Sequence, residues 1–259
     1  MPTAKTEHVQ YGEVAAHEPS RPQSVRVHDL GGMRYAKAWA YQEELLAESK
    51  ARKRANRGLA TTDAGYRPPE HHLLWCKHPP VYTLGKSGSK AHVLLSDDEL
   101  AAADIDFFKI NRGGDITYHG PGQIVGYPIL DLDELFTDIH RYVRYLEEAV
   151  IRTCAEYGVV GGRIPGLSGV WLEKTDTLPQ RKICAVGVHL SRWVTMHGFA
   201  FNVNTDLRYF DHIVPCGIDD KDKGVTSLAR ELGKGCDYYA VRDRVEYHLS
   251  QLFGLEVVR

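Results

Sequence analysis

The sequence predicts a mixed α/β (α+β) protein: a mixed, partly antiparallel β-sheet with helices packed on it. Three observations lead there. Residues 139–157 and 238–253 repeat apolar side chains at helical spacing, and each stretch stops at a glycine, Gly158 and Gly254. Two long apolar runs rich in β-forming residues, 182–190 and 193–203, lie between them. Strand and helix signals mix along the chain without the strict alternation of a parallel βαβ sheet.

In chain order, residues 1–23 carry Pro2, Pro19 and Pro22 among charged and small residues and read as a mobile tail. Residues 24–259 read as a single catalytic domain. It begins with a short alternating strand at Ser24-Val25-Arg26-Val27. Residues 35–54 place Tyr35, Trp39 and Leu46 on one helical face. After a loop with Gly65 and Pro68-Pro69, strand signals appear at 73–75 and 81–84. Ser96-Asp97-Asp98-Glu99 is a capping box that opens a short helix. Residues 107–110 and 123–130 read as strands. The helix over 139–157 turns Ile139, Tyr142, Val143, Leu146, Val150 and Cys154 inward. That over 238–253 groups Val241, Val245, Leu249 and Leu252.

Composition excludes several classes. Of 259 residues, 43% are hydrophobic and 25% charged, a globular balance. Lys plus Arg total 32 and Asp plus Glu 34, a net charge of -2, which removes the electrostatic support for a nucleic-acid partner. No apolar run approaches the ~20 residues of a membrane helix. Residues 1–20 lack the apolar core of a secretory signal. The five cysteines, at 76, 154, 184, 216 and 236, form no C-x-x-C pair, so neither a disulfide framework nor a zinc ribbon is expected, and a reducing cytoplasm is.

Three clusters could carry chemistry. Residues 112–123 hold four glycines and a proline between two strand signals and are expected to form a loop crossing a sheet edge. Such a loop either brings backbone N–H groups to a ligand or is an elaborate turn. It fits neither the phosphate-loop pattern nor G-x-G-x-x-G. Lys182 begins the apolar run that continues through Cys184, Val186 and Val188. It is either exposed at a strand end or turned into a pocket, where desolvation would lower its pKa. Cys216 lies between Pro215 and Gly217 on a turn, unlike Cys154 on an apolar helix face, and is the best nucleophile candidate. Lys182, His119, His197 and His212 are candidate partners. Residues 195–200 look turn-like, with Gly198 breaking a strand. His72, Cys76 and His78 share a strand face but span ~13 Å, too far for one zinc. Lys50, Arg52, Lys53, Arg54 and Arg57 make a basic run that is either a solvated helix end or a docking patch for an acidic partner.

Taken together, these residues resemble the lipoyl(octanoyl) transferase family. Three motifs carry the resemblance in order. They are Arg112-Gly113-Gly114-x-x-Thr117-Tyr118-His119-Gly120-Pro121-Gly122-Gln123, then Lys182-Ile183-x-Ala185-x-Gly187-Val188 with Thr195-Met196-His197-Gly198, and Ile213-Val214-Pro215-Cys216-Gly217-Ile218. Smaller matches lie at Asp29-Leu30-Gly31, 78–85 and Val225-Thr226-Ser227-Leu228. The resemblance implies the fold of biotin and lipoate protein ligase catalytic domains and a catalytic pair of Cys216 and Lys182. It implies substrate binding by Arg112, Gly113, Gly114, Asp115, Ile116, Thr117, Tyr118, His119, Ala185, Val186, Gly187, Gly198, Phe199 and Ala200. It further implies octanoyl transfer from octanoyl-acyl carrier protein to a lysine of lipoyl domains, through a cysteine thioester, as the first step of protein lipoylation. The acceptors would be 2-oxoacid dehydrogenase subunits and the glycine cleavage H protein. No cofactor or metal is called for. The chain departs from the family at Asp115, Cys184 and Trp193, and in longer stretches at 52–69 and 176–180.

A thiol of pKa ~8.5 is mostly protonated at neutral pH, and a lysine ammonium beside it would favour the thiolate. Thr117, His119 and loop N–H groups are expected to hold the thioester oxygen. Val186, Phe199, Phe201 and Ile124 are expected to wall the acyl slot. Three rival readings have distinct signatures: an ATP-dependent lipoate ligase, a papain-like hydrolase using Cys216, His197 and Asn202, and a carrier-binding module docking through 50–57.

Overall fold

The computed structural model describes residues 14–214 and 223–259. Cys216 and its neighbours 215–222 lie outside the described residues. The chain runs β1 (Gln23–Gly32), α1 (Tyr35–Ala55), β2 (His71–Lys77), β3 (Val81–Leu84), α2 (Asp97–Ala102), β4 (Asp106–Lys109), β5 (Ile116–His119), β6 (Gln123–Ile129), α3 (Ile139–Glu156), β7 (Gly162–Ile164), β8 (Leu167–Leu172), β9 (Gln180–Ser191), β10 (Val194–Asn202), β11 (Lys223–Val225), α4 (Leu228–Leu232), α5 (Tyr238–Phe253) and β12 (Leu255–Val258).

The strands divide between two sheets, where the sequence suggested one. The larger has the order β12-β1-β2-β6-β10-β9-β8-β7, with β11 also pairing with β9; the smaller is β4-β3-β5. In the larger sheet β1/β12, β1/β2 and β9/β11 are parallel and the other pairs antiparallel. The chain leaves the large sheet after β2 at Pro79-Pro80. Prolines cannot donate to a ladder, so β3 starts a second sheet.

Caps and periodicity explain the helices. Asp138 accepts from the His140 and Arg141 N–H groups to open α3, and Asp237 accepts from Tyr239 and Ala240 to open α5. Ser96 and Glu99 form the expected capping box at α2. Both sheet faces are covered. Ile124, Phe199 and Phe201 pack with Leu146, Val150, Val245 and Leu249 of α3 and α5. On the other face Val125, Tyr127, Met196 and Ala200 pack with Tyr35, Ala38 and Leu45 of α1. The small sheet has its own core of Tyr82, Ile116 and Tyr118 with Leu100 and Ile213.

Residues 14–22, which composition assigns to the tail, lie on the helices. Tyr145 and Arg152 donate to the Ala15 and Val14 carbonyls at 2.8 and 2.9 Å, and the His17 N–H donates to Leu252 O at 2.8 Å. The long stretch after α1 is held too. The Asn56 side chain bonds the Arg67 backbone at both ends, and Arg52 reaches Pro68 O and Glu70. Lys53 pairs with Asp131 and Asp133. Two cations of the basic run are therefore internal anchors, which leaves less of a docking patch than the sequence suggests. Among the described residues no helix is long and apolar enough to cross a membrane.

Candidate active site

An open cleft lies between the small sheet and strands β9 and β10. The glycine-rich segment, expected as a loop throughout, contributes a loop and then strand β5. Alternation on β5 sorts its residues. Thr117 and His119 face the cleft. Tyr118 does not line it: its ring is buried in the small core, stacked on Tyr209 at 4.7 Å. Its side chain thus points away from the cleft, where the resemblance placed it among the substrate-binding residues. Ile116 belongs to that core and also borders the cleft.

Arg112 organises the loop. Its Nη1 donates to Gly113 O at 3.0 Å, and its Nη2 donates to Thr83 O and, at 3.0 Å, to Thr83 Oγ1. The Gly113 N–H reaches Val188 O of β9 at 2.9 Å, which joins the loop to the large sheet. Asp115, one of the family departures, pairs with His92. Gly113, Gly114 and Asp115 all line the cleft.

The opposite wall is the β9/β10 ladder. Gly187 pairs with Gly198 and Ala185 with Ala200. These four, with Val186 and Phe199, line the cleft. β10 continues unbroken through Gly198, contrary to the turn expected there. Glycine is required because a Cβ would lie 2.1 Å from Gly126 O. Of the expected acyl walls, Phe201 and Ile124 are instead part of the α3/α5 core.

Lys182 lies half-buried in the cleft wall. Its Nζ sits 4.6 Å over the ring of Trp171, its partner across β8 and β9. Val225, which follows the undescribed segment, pairs with Lys182 and also lines the cleft. On the other side of that segment, the Val214 N–H bonds His92 O at 2.9 Å, and His92 holds Asp115. The chain on both sides of Cys216 is thus tied to cleft residues.

Two cleft histidines are neutral. Burial, reinforced by His78, pushes His119 down to about 3. Burial and the Arg112 charge push His197 down to about 3. His197 has φ +59, rare for a residue with a side chain. Its N–H donates to Gln42 Oε1 at 3.0 Å and its Nε2 pairs with Asn111 Oδ1 at 2.7 Å. His197 and Asn202 are five residues apart on one strand, about 16 Å. Asn202 instead bonds Gln123 and the Thr226 carbonyl, so a papain-like triad is not assembled. His71, His72 and His78 do not act as a set: His71 accepts from Asp131 N, His72 meets His28, and His78 meets Met33 O and Tyr127. Sequence reasoning missed Tyr35, Tyr127 and Ser168 as lining residues. Tyr35 and Tyr127 carry only a core-forming signal, and Ser168 carries none.

The profile of the lipoyl protein ligase A/B catalytic domain matches residues 34–250, and the chain belongs to that family. Within it, the chain is 54% identical over 234 residues to an octanoyltransferase of Cytophaga hutchinsonii, covering 90% of this chain and 94% of that one. It is also 54% identical over 234 residues to an octanoyltransferase of Christiangramia forsetii, covering 90% and 97%. A bi-partite lipoate protein ligase from Thermoplasma acidophilum has the same fold, with a TM-score of 0.61 at 15% identity over 92% of this chain and 88% of that one.

Proposed function

We propose that the protein is an octanoyltransferase of protein lipoylation. It takes the octanoyl group from octanoyl-acyl carrier protein and passes it to a lysine of lipoyl domains. The acceptors are 2-oxoacid dehydrogenase subunits and the glycine cleavage H protein. One observation carries the reading: residues of three separate stretches, Arg112 to Thr117 with His119, Lys182 with Ala185 to Gly187, and Gly198 to Ala200, converge with Val225 on one cleft. The two octanoyltransferase relatives support the acyl group and the reaction class.

Cys216 is the nucleophile and Lys182 its partner. In the first half, the Cys216 thiolate attacks the carrier thioester. A C–S bond forms to the enzyme, the bond to the carrier sulfur breaks, and the carrier leaves as a thiol carrying the proton given up by the Lys182 ammonium. In the second half, the acceptor amine attacks, the C–N bond forms and the Cys216–acyl bond breaks. Lys182, uncharged by then, takes the amine proton. Arg112 shapes the loop wall, and the glycine and alanine pairs of β9 and β10 admit a flat apolar chain. At ~0.8 kcal/mol per buried CH2, seven carbons offer about 5 kcal/mol. Residues 24–259 act as one catalytic domain, with 14–22 strapped across its helices. The described cysteines are free thiols, which supports a reducing, cytoplasmic setting.

The test is octanoyl transfer from the carrier thioester to a purified lipoyl domain without nucleotide. Transfer that proceeds without ATP, and is lost in Cys216→Ser and Lys182→Ala, meets the proposal. Transfer that requires ATP and free octanoate supports a ligase instead.

A further inference from the structure

Two buried amides determine which nitrogen of His119 carries its proton. Asn202 Nδ2 donates to the Thr226 carbonyl at 3.0 Å. A carbonyl only accepts, so the other end of this amide, Oδ1, faces Gln123 Nε2 at 2.9 Å. Gln123 Nε2 also donates to the Tyr118 carbonyl at 3.1 Å. Two backbone carbonyls thereby fix both amides. Gln123 Oε1 is left to face His119 Nδ1, 2.9 Å away, and that nitrogen must bear the hydrogen. Gln123 and Asn202 are 1% and 4% exposed, so water does not compete. With His119 neutral, Nε2 holds a lone pair. Its neighbour is Thr83 Oγ1 at 3.5 Å, the outer limit of a hydrogen bond; that hydroxyl accepts from Arg112 and has only this long, weak donation to offer Nε2, which a closer N–H donor displaces.

We infer that Gln123 and Asn202 are positioning residues that lock His119 as its Nδ1–H tautomer, so that Nε2 serves as a hydrogen-bond acceptor for an N–H of the incoming amine. An acceptor repels a developing oxyanion, so His119 does not hold the thioester oxygen as the sequence suggested. A neutral amine has N–H groups and a lone pair, and holding one N–H on Nε2 aims the lone pair at the acyl carbon. The Thr226 N–H bonds Lys182 O at 2.9 Å, so the same amide chain reaches from His119 to the Lys182 backbone. The amine assignment rests on the octanoyltransferase reading; the tautomer does not.

The experiment is a long-range ¹H–¹⁵N correlation spectrum of the full chain with ¹⁵N-labelled histidine, the His119 signal being assigned by its loss in His119→Asn. The expected pattern is a protonated Nδ1 and a lone-pair Nε2, unchanged between about pH 5 and 8. Gln123→Met keeps the side-chain length but removes the acceptor. It is expected to give mixed tautomers and to slow transfer to the lipoyl-domain amine by about tenfold or more, with formation of the octanoyl-enzyme nearly unchanged. A wild-type spectrum with Nε2 protonated overturns the lock, whether or not any variant folds. Equal slowing of loading and of amine transfer in Gln123→Met overturns the amine assignment. A protein with a protonated Nδ1 that takes up no octanoyl group overturns the functional reading and leaves the lock standing.

Discussion

On one wall of the cleft, Arg112 alone reaches three acceptors on Thr83 and Gly113, and the loop is further tied to β9 through Gly113. On the other wall, β9 and β10 face the cleft with the pairs Gly187–Gly198 and Ala185–Ala200, which offer hardly any side chain. The first wall holds its shape through donors and acceptors and suffers when one is removed. The second holds its shape through missing atoms and suffers when one is added. A reaction that must position a polar thioester head and accommodate an apolar tail has use for both.

The largest expected effect tests the empty wall. Gly198→Ala puts a Cβ 2.1 Å from the Gly126 carbonyl, backbone that cannot step aside. We expect a loss of about 3 kcal/mol in urea unfolding. Gly32→Ala, with nothing within 4 Å, serves as the control and should cost little. Equal stability of the two variants would show that the strand wall yields to added atoms.

Next comes the hydrogen-bonded wall. Arg112→Lys keeps a charge but loses the fork that serves Thr83 and Gly113 together. Octanoyl transfer should fall about a hundredfold with a much smaller change in unfolding midpoint. Retained activity would mean that a point charge suffices and the fork geometry does not matter.

Each wall also holds one neutral histidine, which sets a pH dependence. His119 and His197 are pushed down to about 3 when folded, against 6.5 for the model imidazole. The unfolded chain therefore binds protons that the folded one refuses, and stability falls as pH drops below about 6.5 toward the folded values. Urea midpoints measured from pH 7 to 4 should decline, and less steeply in a His119→Gln, His197→Gln double variant. A parallel decline in both proteins would place the proton uptake elsewhere, for instance at His71 and His78. The smallest effect belongs to Thr83→Val, which removes one neutral hydroxyl between Arg112 and His119 and should cost about 1 kcal/mol in unfolding.

Long periodic elements were legible in the sequence. The helix expected at 35–54 is α1, that at 139–157 is α3, and the apolar runs after Lys182 are β9 and β10. Short elements were not: β7 and β11 have three residues each, and their pairing is decided by neighbours distant in sequence. The second sheet was hidden because β3, β4 and β5, at four residues apiece, look alike whichever sheet they join. Two of the three motifs meet at the cleft, and the third lies mostly outside the described residues, but which way each side chain faces was not readable. Tyr118 sits inside a motif and points into a core, whereas Tyr35 resembles a core residue and lines the cleft. The roles of Gln123 and Asn202 depend on two backbone carbonyls that no spacing rule encodes.

The central claim is a covalent octanoyl group passing through Cys216 with Lys182 beside it. Its most direct test is mass spectrometry of protein incubated with octanoyl-carrier thioester, digested to peptides before and after a lipoyl domain is added. The account predicts one octanoyl group on the peptide holding Cys216, its disappearance when the lipoyl domain arrives, and its appearance on one acceptor lysine. An adduct on Cys76, Cys154, Cys184 or Cys236, or octanoyl-lysine formed by Cys216→Ser at the wild-type rate, would contradict it.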